Sequence, residues 1–213
     1  MHVVWDWNGT LLDDLDQIVA AVNVTLGERG KPPISVSQYG AHYQRPVQRF
    51  WESILDRSVS DTEWQEVDES FHRAYRDLLP TIALAPDARD ALEAVKEAGH
   101  TQSLLSMLIH DDLVAMAAEF DIARFMTHVD GLRGVRGARK QDSLLQHLRK
   151  LEMSGEHVLM IGDAIDDADA AKATGTMCVM YDRGVFPREQ IERTGVPTAG
   201  TLMDALRAGG AIW

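Results

Sequence analysis

The chain of 213 residues has one cysteine, Cys178, so no disulfide can form within it, and the fold must stand on its hydrophobic core. That single thiol fits a reducing compartment, and a cytoplasmic location is the expectation. Basic residues are scarce: 21 Lys+Arg stand against 33 Asp+Glu, a formal net charge of −12. A field of that sign repels nucleic acid, so no nucleic-acid partner is expected and an anionic ligand would need local positive charge. No apolar run approaches the twenty or so residues that cross a bilayer, and the opening MHVVWDWNGTLLDD has no leader pattern, so no membrane partner is expected either. There is no internal repeat and no Gly/Ser-rich linker. With 45% hydrophobic and 25% charged residues the chain has an ordinary globular composition, which leaves a large domain or a core with a modest insertion.

Short apolar runs alternate with segments of helical period. Strands are predicted at 2–6, 101–107, 126–129, 157–162 and 176–181, and helices at 87–98, 111–120, 141–151, 167–174 and 201–208. Runs this short and this uniformly apolar suit strands covered on both faces, and the alternation predicts an α/β fold, a doubly wound, Rossmann-like parallel sheet. The stretch from about 14 to 83 differs: it shows helical patterns at 14–29, 37–55 and 61–79 and no strand. It reads as an inserted helical module, giving a core of 1–13 and 84–213 and a cap of 14–83.

The insertion begins directly after Asp6-Trp7-Asn8-Gly9-Thr10, at the end of the first strand. Ligands of open α/β sheets gather at the carboxyl ends of the strands, so Asp6 stands where chemistry is expected, although the same five residues also make a plain polar turn. Ile161-Gly162-Asp163-Ala164-Ile165-Asp166-Asp167 repeats the arrangement of strand, glycine and carboxylates. Asp166 and Asp167 suit a helix start, where the dipole favours negative charge. Asp6, Asp163 and Asp167 meeting at neighbouring strand ends would repel one another unless a hard cation such as Mg²⁺ lay among their oxygens. Ser106, at the end of QSLLS, and Lys140 add the hydroxyl and ammonium that a phosphoryl group requires.

Positive charge gathers in RGVRGARK, with Arg133, Arg136, Arg139 and Lys140, which reads either as a solvated loop or as a local anion-attracting patch. In the cap, YGAHYQRPVQR places His42 and Arg45 beside a proline-punctuated turn, and both are candidate substrate contacts. Asp111 and Asp112 are expected to start a helix rather than to join His110 in holding a metal.

In this order, VVWDWNGTLLDD, SLLSM, Lys140 and MIGDAIDDADAAKATG resemble the haloacid dehalogenase-like superfamily, in the subgroup whose helical cap is inserted after the first motif, as in phosphoglycolate phosphatase-like and β-phosphoglucomutase-like hydrolases. The resemblance covers nearly the whole chain. It implies a Mg²⁺-dependent phosphohydrolase acting on a small phosphorylated metabolite through an aspartyl-phosphate. Asp6 would be the nucleophile; Asp6, the backbone carbonyl of Asn8, Asp163 and Asp167 would hold the metal; Ser106 and Lys140 would bind phosphate.

One position departs from the hydrolase pattern. Most phosphatases of this family carry an acid/base aspartate two residues after the nucleophile, and Asn8 stands there. An amide hydrogen-bonds but does not exchange a proton at a useful pKa, a loss worth typically ~10²–10⁴-fold. The enzyme would then use substrates with good leaving groups, borrow an acid from the cap, or be a slow, weakly active phosphate-binding regulatory protein. A separate alternative is a phosphotransferase or phosphomutase on the same scaffold, which would pass the same aspartyl-phosphate to another hydroxyl. Dehalogenation fits less well, because that branch does not depend on the metal-binding carboxylates.

Overall fold

The computed structural model describes residues 1–133 and 139–213. The chain divides into two compact units, one of Met1–Asp13 with Leu84–Trp213 and the other of Asp14–Ala83.

The first unit is a six-stranded parallel sheet built from β1 (His2–Trp5), β4 (Thr101–Ile109), β5 (Val129–Leu132), β6 (Val158–Gly162), β7 (Met177–Tyr181) and β8 (Thr198–Ala199). Two short strands, β2 (Leu12–Asp13) and β3 (Ala83–Leu84), form a separate two-stranded ribbon. The order β5-β4-β1-β6-β7-β8 places β1 in the middle and confirms the doubly wound parallel class. In register, Val4 lies beside Ser103 on one side and Met160 on the other.

Helices α5 (Ala88–Glu97), α6 (His110–Glu119), α7 (Lys140–Leu151), α8 (Ile165–Thr174), α9 (Arg188–Glu192) and α10 (Leu202–Ala208) complete this unit. Side chains alternate across a strand, so His2 and Val4 share one face while Val3 and Trp5 share the other. Val4 joins Leu105 and Met160 of the sheet and Leu144 and Leu148 of α7 in one buried cluster. On the opposite face the indole N–H of Trp5 donates to Gln102 Oε1 at 2.8 Å, and Gln102 Nε2 donates to the carbonyl of Leu92 on α5 at 2.8 Å, so this buried amide has partners at both ends.

Two readings of this unit shift. The strand expected at 126–129 pairs at Val129–Leu132, and Ala123–Phe125 is instead a 3₁₀ turn. Asp130-Gly131 looks like a turn in sequence, yet Asp130 sits in the strand because His147 and Lys150 satisfy its carboxylate. Strand β4 runs on to Ile109, with a register irregularity between Leu105 and Ile109, so Ser106 lies within the strand rather than at its end.

The second unit holds four helices, α1 (Leu15–Gly27), α2 (Val36–His42), α3 (Val47–Leu55) and α4 (Asp61–Leu78). The single pattern expected over 37–55 is two helices, because Pro46 has no N–H to donate and its ring excludes the helical conformation from the residue before it. Ser35 and Ser60 cap α2 and α4 through the N–H groups of Gln38 and Glu63. Asn23 on α1 clamps Ile34 from both sides, donating to its carbonyl and accepting from its N–H. The Tyr75 hydroxyl of α4 donates to the fully buried Asp14 carboxylate at 2.6 Å. Among the described residues no helix is long and apolar enough to cross a membrane.

Candidate active site

The parallel ladder runs one step past β1, the Asp6 N–H donating to Ile161 O at 2.9 Å, and this carries Asp6 to the carboxyl edge of the sheet beside the end of β6. The chain then turns back tightly, with the N–H groups of Thr10 and Leu12 both donating to Trp7 O. Gly9 makes the turn possible with φ of +72°, and it also makes room, since a Cβ there would lie 2.5 Å from Asp163 Oδ2. Strand β6 ends at Gly162, and α8 starts at Ile165, so Asp163 lies in the junction and Asp167 in the first turn of the helix. Asp167 works in two directions: its Oδ2 accepts from the Ala164 N–H at 3.0 Å, as a helix-start carboxylate does, and its Oδ1 meets the Lys140 ammonium.

Asp6, Asp163 and Asp167 each present a carboxylate oxygen within 4.8 Å of the others, and all three residues are buried. Lys140, the first residue of α7 and 3% exposed, lies 2.7 Å from Asp6 Oδ1 as well as against Asp167. Burial by itself disfavours the ammonium form of Lys140, but the carboxylates of Asp167 and Asp6 outweigh it and hold the lysine above its ordinary range. Burial pushes the Asp167 carboxyl upward, reinforced by Asp6 and Asp166 and opposed by Lys140. The one ammonium thus pairs with two of the three clustered carboxylates. That excess of close, hard oxygen donors is the donor set that suits Mg²⁺, and a divalent cation would favour the ionised form of all three.

The structure brings Asp6, Lys140, Asp163 and Asp167 together. With Trp5 opposite Leu104, the register sets Ser106 at the same end of the sheet, but its hydroxyl is turned onto its own strand and accepts from the Leu108 N–H at 3.1 Å. Asn8 forms an isolated bridge with Leu12 in the same turn. His42 and Arg45 belong to the second unit; His42 Nδ1 lies 2.8 Å from Ser53 Oγ, and Arg45 is exposed in the turn after α2. The basic patch separates. Arg133 meets His110, exposed Arg139 pairs with Asp142 at 3.3 Å, Lys140 points inward, and Arg136 lies outside the described residues. Asp111 and Asp112 occupy the first turn of α6, and His110 Nδ1 accepts from the Gly131 N–H.

Two residues of the site escaped sequence reasoning. The Thr10 hydroxyl donates to Asp163 Oδ1 at 3.2 Å, steering one carboxylate of the cluster; it lay inside the quoted motif but was given no role. Gly184, in the loop after β7, approaches so closely that a Cβ there would fall 2.0 Å from Asp163 Oδ2. The one signal for it in the sequence is a glycine shortly after a strand end.

A family model for haloacid dehalogenase-like hydrolases matches residues 1–175. A phosphoglycolate phosphatase of Pseudomonas savastanoi pv. phaseolicola is 26% identical over 188 residues, 85% of this chain and 69% of that protein. One from Pseudomonas putida is 26% identical over 214 residues, 97% of this chain and 77% of that one. A haloacid dehalogenase-like family protein of Streptococcus pneumoniae superposes with a TM-score of 0.84 at 19% identity, over 97% of this chain and 96% of the other, and so shares the fold.

Proposed function

The chain belongs to the haloacid dehalogenase-like hydrolases and is an enzyme of the phosphatase type, and from that premise we propose that it is a Mg²⁺-dependent phosphohydrolase of small phosphorylated metabolites, with Asp6 as nucleophile. The observation that carries the proposal is the buried cluster of Asp6, Asp163 and Asp167, crossed by one ammonium from Lys140.

In this reading a carboxylate oxygen of Asp6 attacks phosphorus, the bond from phosphorus to the ester oxygen breaks, and the alkoxide leaves and takes a proton from solvent while Asp6 carries the phosphoryl group. Water then attacks phosphorus, inorganic phosphate departs, and the Asp6 carboxylate is restored. Lys140 holds the attacking carboxylate in place and offsets charge as two anions approach. Thr10 orients Asp163, and Ser106 joins the phosphate shell once its hydroxyl turns from the Leu108 N–H. Asp6, the Asn8 carbonyl, Asp163 and Asp167 are the groups that would hold the metal. When bound, the divalent cation neutralises the phosphoryl oxygens and keeps the nucleophile directed at phosphorus.

The substrate belongs to the same proposal. Phosphoglycolate, named for the relatives above, is the first compound to assay, and Arg45 and His42 of the helical unit are the proposed contacts to its non-phosphate end. A panel of phosphate monoesters that includes 2-phosphoglycolate, assayed with Mg²⁺ and with chelator, tests the reading. Metal-dependent phosphate release that disappears in Asp6→Asn supports it, and full activity in chelator overturns it. A second reading is transfer of the phosphoryl group from phospho-Asp6 to an acceptor hydroxyl in place of water, the hydroxyl proton passing to solvent. Added sugar acceptors in the same assay separate the two.

A further inference from the structure

A second polar cluster lies buried in the first unit at the other end of the same two elements that carry Asp6 and Lys140. His147 on α7 has no exposed side-chain surface, and its Nδ1 lies 2.7 Å from Asp130 Oδ2 on β5. Its Nε2 lies 2.7 Å from Ser103 Oγ on β4, and that hydroxyl lies 2.7 Å from His2 Nε2 on β1. The chain continues from His2 Nδ1 to Thr101 Oγ1 at 2.7 Å, and closes at the far end where Lys150 Nζ donates to Asp130 Oδ1 at 2.5 Å. With both imidazoles neutral the protons run in one direction: Thr101 donates to His2, His2 to Ser103, Ser103 to His147, and His147 to Asp130. Every ring nitrogen is then satisfied.

Ser103, His147 and Asp130 have the connectivity of a hydrolytic triad, but Ser103 is 0% exposed and shares its hydroxyl with His2, so no substrate reaches it. The position of the cluster suggests another role. Lys140 and His147 are seven residues apart on α7, which puts them on one face about 10 Å apart along the axis. His2 and Asp6 are four residues apart along β1 and its extension, about 13 Å. Besides the apolar packing of Leu144 and Leu148, α7 is therefore tied to the sheet by polar contacts at two levels, once through Lys140 and Asp6 and once through His147, which reaches β4 through Ser103 and β5 through Asp130. Apolar packing tolerates small slides and rotations, whereas two separated directional contacts fix the height and tilt of the helix.

We propose that His147 is a positioning residue for Lys140, bracing α7 against β4 and β5 so that the ammonium stays between Asp6 and Asp167. The inference rests on the phosphoryl-transfer reading for its effect on rate, but the placement of Lys140 can be observed without any activity. An apolar residue at 147 would fill the volume without fixing the direction of the contact, which is why the polar chain matters.

The test compares wild type with His147→Leu, His147→Asn and Ser103→Ala by steady-state kinetics with Mg²⁺ and by nitrogen-15 NMR of the lysine ammonium groups. The Lys140 signal is assigned by its loss in Lys140→Met. In His147→Leu the Lys140 signal should shift or broaden, and kcat should fall at least tenfold with KM within threefold. His147→Asn, which retains an N–H able to reach Asp130, should recover most of both. A Lys140 signal unmoved in folded His147→Leu overturns the proposal whatever the rate does, as does an equal effect of Leu and Asn. Should His147→Leu fail to fold, Ser103→Ala decides: a moved Lys140 signal supports the brace, an unmoved one overturns it. A wild type without phosphatase activity would remove the functional reading while the Lys140 signal still judged the brace.

Discussion

The ammonium of Lys140 lies 2.7 Å from Oδ1 of Asp6 and also meets Asp167, so a single buried cation serves two buried carboxylates, one just past the end of β1 and one in the first turn of α8. The two partners respond differently to deletion. Lys140→Met removes the buried ammonium from both Asp6 and Asp167 and should lose about 3–5 kcal/mol of stability in chelator, the usual size for breaking a buried pair, with part of it returning in Mg²⁺. Asp6→Ala relieves crowding while Asp167 still holds the lysine, so its stability in chelator should hold or rise. Both should abolish turnover. Denaturant unfolding with and without Mg²⁺ measures this, and the opposite ranking of the two variants would refute the charge assignment.

Gly184 is expected to be as sensitive as a charged residue. A Cβ at this position would lie 2.0 Å from Asp163 Oδ2 and 2.4 Å from its Cβ, so Gly184→Ala must displace either the loop or the carboxylate. Activity should fall tenfold or more and Mg²⁺ affinity should weaken. Calorimetric titration of the metal checks the second point, and unchanged affinity would mean that the loop yields instead.

Asn8 sets a leaving-group dependence. Without a proton donor, aryl and acyl phosphates should turn over far faster than alkyl phosphates. Asn8→Asp should speed alkyl phosphates by ~10²-fold or more and aryl phosphates less, the size of a restored general acid. If alkyl turnover is unchanged, another group supplies the proton, and His42 is the first to substitute.

Arg45 is proposed to meet the part of the substrate beyond the phosphate. Arg45→Ala should then raise KM several-fold for the true substrate while leaving a small generic ester such as p-nitrophenyl phosphate nearly unaffected. An equal loss on both places Arg45 outside the substrate shell.

Acid sensitivity is expected from His2, whose imidazole is pushed down to about 4 from its ordinary 6.5, first by burial and then by the nearby His147 and His128. The folded protein keeps this ring neutral while the unfolded chain takes up a proton near its ordinary pKa. The contribution is therefore complete above pH ~6.5 and lost as pH falls toward 4, up to about 3 kcal/mol. Unfolding free energies at pH 7, 5.5 and 4.5 should fall more steeply for wild type than for His2→Asn, and parallel curves would exclude His2 as the source.

Much of this molecule was legible because its signals are local. The alternation of short apolar runs with helical periods identifies a parallel α/β sheet, since strands covered on both faces must be apolar throughout. The strand-glycine-carboxylate pattern at Asp6 and again at Asp163 and Asp167 is local too, and topology alone carries both to one edge of the sheet. Pro46 was equally visible as a break, yet the helical period of the apolar positions after it, Val47 and Phe50 among them, was strong enough to hide it.

By itself, then, the sequence determined the fold class, the family pattern and the carboxylates that the sheet gathers at its edge, because periodicity and motif spacing are properties of neighbouring residues. Only the tertiary structure decided that Asp130 lies in a strand, that Ser103 joins His2 to His147, that Lys140 is shared between Asp6 and Asp167, and that Gly184 stands against Asp163. Each of these depends on residues tens of positions apart meeting within hydrogen-bond or van der Waals range. A buried polar group is stable only when that distant partner arrives, and a sequence read residue by residue does not say which partner it will be.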